Sequence, residues 1–139
     1  MIGGLVDESS ASLCFYGADL EPEEVSGLLG IEPTKAFRRG FQRSARVRPS
    51  PHGAWFLEVR GEAPTGPDDL LRELLAPLPR SARIWSELTS RFKARIFLGI
   101  YMSDVNRGFT LSPEVISEVA ALGLDLDFDI YANGEDDDV

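Results

Sequence analysis

Leu111-Ser112-Pro113-Glu114 opens a run that closes at Leu122-Gly123-Leu124, and Leu20-Glu21-Pro22-Glu23 opens a matching run that closes at Leu29-Gly30-Ile31. In both, proline suits the first helical position and the glutamate beside it meets the positive end of the helix dipole. Glycine suits the stop, and an apolar residue restarts the chain. Each run follows an apolar segment with a tyrosine near its end, Tyr16 or Tyr101. The echo predicts two β-α-β halves. The fold class is therefore α+β: a single domain with an antiparallel or mixed sheet of about five strands and about three helices, ferredoxin-like with a weak internal β-α-β repeat. On this plan the middle strand and the long helical region between the two runs are additions.

Outward from the echo, the clearest strand is 124–131, where Leu124, Leu126, Phe128 and Ile130 alternate with Asp125, Asp127, Asp129 and Tyr131. Period-two alternation predicts one buried and one solvated face. Residues 11–17 and 54–60 read as strands, the latter with Trp55, Leu57 and Val59 on one face. Residues 95–102 are apolar on both faces, which fits a strand covered twice or one carrying aromatics over a groove. Helical spacing appears in Val25, Leu28 and Leu29, in Leu71, Leu74, Leu75 and Leu78, in Ile84, Trp85, Leu88 and Phe92, and in Val115, Ile116, Val119, Ala120 and Leu122. Pro77 and Pro79 break the second of these stretches. Residues 35–48 read as a ragged strand or hairpin arm. Residues 1–10 are expected to be a flexible leader, 11–132 the domain, and 133–139 an acidic tail.

The chain has 139 residues, 43% hydrophobic and 27% charged. That is ordinary soluble-domain usage, with no run near the ~18 apolar residues of a membrane span. The single cysteine, Cys14, excludes an intrachain disulfide, and with one histidine, His52, no zinc site built mainly from those ligands can form. Cys14 lies in an apolar run and reads as a small buried hydrophobe. A Cys14–His52 catalytic pair has no local signature. The first residues lack a basic segment and a long apolar stretch, so no secretory signal and a cytoplasmic location are expected.

The formal net charge is −9, which argues against nucleic acid and anionic membranes as partners. It is unevenly spread. Residues 35–60 hold seven basic residues, Lys35, Arg38, Arg39, Arg43, Arg46, Arg48 and Arg60, against the single acid Glu58. This basic island either binds an anion or an acidic partner, or is neutralised by acids of its own chain.

Two clusters carry candidate chemistry. Asp125, Asp127 and Asp129 lie on one strand face about 7 Å apart, where carboxylates suit a divalent cation or a general acid. The loop-type calcium signature is absent, and the plain alternative is a solvated or arginine-paired face. The second cluster is Arg38, Arg39 and Trp55, residue types that dominate protein interfaces and clamp anions. The charge pattern predicts that Arg38 and Arg39 lie near Asp127 and Asp129, at the rim of a concave surface containing Trp55. The candidate binding set is Arg38, Arg39, Trp55, Asp127, Asp129 and Tyr131. No catalytic residue, metal ligand or cofactor is assigned: phosphate-cradling glycine loops and nucleophile elbows are missing.

Phe15-Tyr16-Gly17-Ala18-Asp19-Leu20-Glu21-Pro22, Leu29-Gly30-Ile31-Glu32-Pro33-Thr34, Arg38-Arg39-Gly40, Gly53-Ala54-Trp55-Phe56-Leu57, Leu111-Ser112-Pro113-Glu114, Leu122-Gly123-Leu124 and Asp127-Phe128-Asp129-Ile130-Tyr131 together resemble a bacterial family known as domain of unknown function 4279. The resemblance spans roughly 11–132. It implies a small bacterial α+β protein without an established activity, and some such families look like immunity proteins. The expectation is a non-enzymatic domain that binds a protein partner, with neutralisation of a toxin as its specific form. A small-ligand or anion-binding domain using the Arg/Trp patch is the alternative, and a metal-dependent hydrolase a third reading. Oligomeric state is left open.

Overall fold

Glu8–Gly17 forms the central strand, β2, and its alternation sets the two faces of the domain. Ala11, Leu13 and Phe15 are fully buried on one side, and Ser10, Ser12, Cys14 and Tyr16 occupy the other. The computed structural model describes residues 4–103 and 107–132. Besides β2, it contains β1 (Gly4–Leu5), α1 (Pro22–Leu29), β3 (Lys35–Phe37), β4 (Gly53–Glu62), α2 (Pro67–Leu75), α3 (Ala82–Arg91), β5 (Lys93–Met102), β6 (Arg107–Gly108), α4 (Pro113–Ala121) and β7 (Asp125–Ala132). The main sheet has the order β3-β4-β2-β5-β7, and a two-residue parallel pair, β1–β6, stands apart.

The pairings define the topology. β2 is antiparallel to β4 and β4 to β3, so β2 and β3 run parallel with β4 between them. β2 is also antiparallel to β5, so β4 and β5 run parallel with β2 between them. Two interleaved split β-α-β units, β2-α1-β3 and β4-α2-α3-β5, are the ferredoxin-like arrangement. α4 and β7 then extend the sheet, since β7 pairs parallel with β5. The fold is α+β with a mixed five-stranded sheet, and the roles within it differ from the expected plan. The middle strand β4 and the region α2–α3 are the second half of the core. The echo at 111–124 is the addition. The described residues form four helices because the Pro77-Leu78-Pro79 break is followed by a fresh start, in which the Ser81 hydroxyl accepts from the Ile84 amide.

All four helices pack on the Ala11–Leu13–Phe15 side in one core. Val25 and Leu29 come from α1, Leu70, Leu71, Leu74 and Leu75 from α2, Trp85 and Leu88 from α3, and Val115 and Val119 from α4. They meet Trp55, Ile96 and Leu98 from the sheet. The Phe15 ring lies between Trp55, edge-on at 5.8 Å, and Trp85, stacked at 6.2 Å. Gly53 starts β4 where a Cβ would lie 2.3 Å from the Leu20 carbonyl oxygen, so the turn before α1 requires glycine there.

Three expectations are corrected. The boundary at residue 11 falls inside β2: Glu8–Ser10 pair with both neighbouring strands, and Val6 is buried. The 35–48 segment is a three-residue edge strand followed by a loop. Finally, Leu126, Phe128 and Ile130 do face the helix side, but only the start of the strand is covered. Phe128 is 43% and Ile130 51% exposed, because β7 is the edge strand and has a neighbouring strand on one side only. The acidic segment 133–139 lies outside the described residues.

Candidate functional site

Two surfaces gather the polar chemistry. The first is the sheet face away from the helices. Register alone assembles it: Cys14 is opposite Phe56 on β4 and Arg95 on β5, Ser12 opposite Glu58 and Phe97, and Phe97 opposite Asp127 on β7. Lys35 of β3 joins from the far side, opposite Phe56. Ser12 and Cys14 are 8% and 3% exposed, so the long side chains around them act as a lid on their own strand. Between those chains is an open concavity of about 560 Å³, walled by Tyr16, Phe56, Phe97, Lys35, Glu58 and Arg95.

Arg95 is the hub of this face. Its Nη1 donates to Asp127 Oδ2 at 2.9 Å and its Nη2 to the Tyr16 hydroxyl at 3.2 Å. The guanidinium carbon sits 5.0 Å from the centre of the Phe97 ring and 5.7 Å from that of Tyr16. Nε is buried without a hydrogen-bond partner. The bonds to Tyr16 and then Asp127 raise the guanidinium pKa further. Burial raises that of the Tyr16 phenol and of the Cys14 thiol, so both stay protonated at neutral pH. Nearby, Glu58 accepts from Arg60 Nε at 3.2 Å and from Ser12 Oγ at 3.5 Å.

The second surface is the β3 edge with the loop that follows it. A groove of about 950 Å³ runs between α1 and β3, lined by Ser26, Gly27, Gly30, Ile31, Phe37 and Phe41 among others. The loop is built rather than loose. Gly40 N–H donates to Ser50 O at 2.7 Å, Ser50 N–H to Phe41 O at 2.8 Å, and Gln42 Nε2 to Val47 O at 2.6 Å. Phe37 stacks on Phe41 at 5.2 Å. Arg38 pairs with Glu21 and Glu23 at the start of α1. Arg39, Arg43, Arg46 and Arg48 are exposed and have no carboxylate partner among the described residues.

The predicted binding set does not converge. Arg38 and Arg39 follow β3 at one edge of the sheet, and Asp127, Asp129 and Tyr131 lie on β7 at the other, four strand spacings or roughly 19 Å away. Trp55 is fully buried on the helix side, with its indole N–H donating to Ser26 Oγ at 3.0 Å. It is a core residue. Asp127 is held by Arg95, and the Asp129 carboxylate raises the pKa of the Tyr131 phenol. Among the described residues no three His, Cys, Asp or Glu side chains converge as a metal ion needs. His52 is exposed in the loop before β4. Arg95 is absent from the predicted set because in sequence it is only the first residue of an apolar strand. The clue available was a lone arginine in phase with Phe97 and Tyr101.

A family model described as "Domain of unknown function (DUF4279)" matches residues 7–133. The chain belongs to this family. The match begins at Asp7, just before β2, and ends just past β7, so the domain-of-unknown-function 4279 unit contains both the ferredoxin-like core and the α4–β7 extension. No curated protein and no solved structure matches the chain.

Proposed function

We propose that this domain is a non-enzymatic binding module whose recognition surface is the basic loop 38–52 with the adjoining α1–β3 groove, and that its partner is an acidic protein segment. The supporting observation is the state of the loop arginines. The chain carries 23 acids, yet Arg39, Arg43, Arg46 and Arg48 stand in solvent without a carboxylate among the described residues. Four like charges on a braced loop repel one another, and an acidic partner removes that cost while gaining bidentate contacts. Gly27 and Gly30 present no side chain to the groove, and nothing lies within 4 Å of where their Cβ atoms would stand. An extended chain thus has room to run beside the edge strand β3, the geometry of strand addition. The specific form of the proposal is an immunity-type neutraliser, for which the partner is a toxin.

The test is partner capture from the native host with wild type and with the triple variant Arg43→Glu, Arg46→Glu, Arg48→Glu, followed by titration of the recovered protein. The proposal expects an acidic partner, affinity that falls steeply with salt, and at least a tenfold loss in the variant, which keeps its wild-type melting temperature. Equal affinity of both forms sinks it. For the immunity form, co-expression with the captured partner must restore growth that the partner alone suppresses.

A further inference from the structure

The cavity on the helix-free face contains no residue of that loop, shares only Thr34 and Lys35 with the groove beside it, and carries its own chemistry. From this geometry we infer a binding site for a small planar aromatic monocarboxylate. A concavity of about 560 Å³ matches the several hundred cubic ångströms typical of small-molecule sites. Its apolar walls are aromatic: Phe56, Phe97 and Tyr16, with Tyr16 edge-on to Phe56 at 5.6 Å. Such rings favour an offset or edge-on planar guest over a bulky aliphatic one.

The polar groups select the guest's charge. Lys35 lines the cavity with no ion partner among the described residues. Arg95 has spent Nη1 on Asp127, and the Tyr16 hydroxyl stands at Nη2, but the buried Nε–H is unspent. An unmet buried donor is costly, and the Nε–Nη2 edge of a guanidinium is a fork that fits one carboxylate once the side chains covering Nε move aside. A carboxylate taking that fork brings the neutral Tyr16 hydroxyl, already beside Nη2, into reach as a further donor. Glu58 lies in the same cavity, tied to Arg60. Its negative charge admits a monoanion balanced by Lys35 and opposes a dianion such as phosphate.

The experiment titrates the full-length chain with 2-naphthoate, cyclohexanecarboxylate, 2-naphthylmethanol and inorganic phosphate. Calorimetry and amide chemical shifts are the two readouts. The inference expects saturable binding of 2-naphthoate at or below roughly 1 mM, shifts centred on Cys14, Phe56, Arg95 and Phe97, and at least tenfold weaker binding of the other three probes. Arg95→Lys keeps the charge but removes the fork and should weaken 2-naphthoate at least tenfold. If that variant does not fold, Lys35→Met, at an exposed position, is read in its place with the same expectation. Arg43→Glu/Arg46→Glu/Arg48→Glu should leave 2-naphthoate binding unchanged, which separates this site from the loop. Absence of saturable 2-naphthoate binding, equal binding of cyclohexanecarboxylate or phosphate, or shifts centred on residues 38–52 would each overturn it.

Discussion

Arg95 Nη1 meets Asp127 Oδ2 at 2.9 Å diagonally across the β5–β7 pair, two residues beyond its direct partner Asp125. The pair is only part-covered, at 31% and 46% side-chain exposure. It is therefore expected to position Arg95 rather than hold the sheet together. Asp127→Asn should change stability by less than about 1 kcal/mol, the usual worth of a solvent-accessible ion pair. Equilibrium urea unfolding measures this. A loss of several kcal/mol would mean that β7 depends on the pair for docking.

The same arginine shields Cys14, its direct opposite on β2. The thiol is 3% exposed and burial raises its pKa, so it is doubly protected from electrophiles. In native conditions Cys14 should react with Ellman's reagent only slowly, and Arg95→Ala should speed the reaction at least tenfold without unfolding the chain. An unchanged rate in a folded variant would assign the cover to Phe56 and Phe97 instead.

Ile100 and Ile130 are direct partners in the β5–β7 ladder and face the same side, yet one is 1% and the other 51% exposed. Identical truncations should therefore differ. Ile100→Ala is expected to cost roughly 2–5 kcal/mol, the range for emptying a buried aliphatic site. Ile130→Ala should stay within about 0.5 kcal/mol, as surface substitutions do. Denaturant midpoints of the two variants decide it, and equal losses would show that both sites are equally covered in solution.

That contrast also marks what the sequence could reveal. Alternation in 124–131 correctly sorts Phe128 from Asp127 by face, because side-chain parity is local. It says nothing of where helices end above a strand, so Phe128 and Ile130 were expected to be buried. Proline starts and glycine stops located α1 and α4 for the same local reason. Strand order is not local. The split arrangement that puts β4 between β2 and β3 depends on pairings between residues some forty positions apart, such as Leu13 with Leu57. The echo was real as two helix punctuations, and misleading as the two halves of the core. Trp55 is near the arginines in sequence, but its parity with Leu57 and Val59 puts it on the core face. Arg95, Tyr16 and Phe56 come from three strands and meet only through register, which no single segment displays. The aspartate stripe has a plain structural reading as well: charges alternating along an exposed edge strand discourage pairing with other chains.

Asp68 offers a test in pH. Its Oδ1 accepts the Ser112 amide at 2.7 Å and its Oδ2 accepts Arg72 Nε at 3.1 Å, so one carboxylate ties the first turn of α2 to the N-cap of α4. Partial burial works against the charged form, but the Ser112 N–H and Arg72 outweigh it and hold the pKa below its ordinary value. A carboxyl with a lower pKa folded than unfolded stabilises the fold above its unfolded pKa, about 3.9 for aspartate. That contribution fades as pH falls through the folded value. Asp68→Asn should thus be less stable than wild type at pH 7, by about 1 kcal/mol for the lost charge-assisted bonding. The gap should narrow as pH drops from about 4 towards 2, where the wild-type carboxyl also becomes neutral. Urea midpoints of both proteins measured across that range are the check. A gap that stays constant down to the lowest pH at which both fold would show that Asp68 acts through shape and not through charge, and the α2–α4 tie would then have to be assigned to the Arg72–Ser112 hydrogen bond at 2.7 Å.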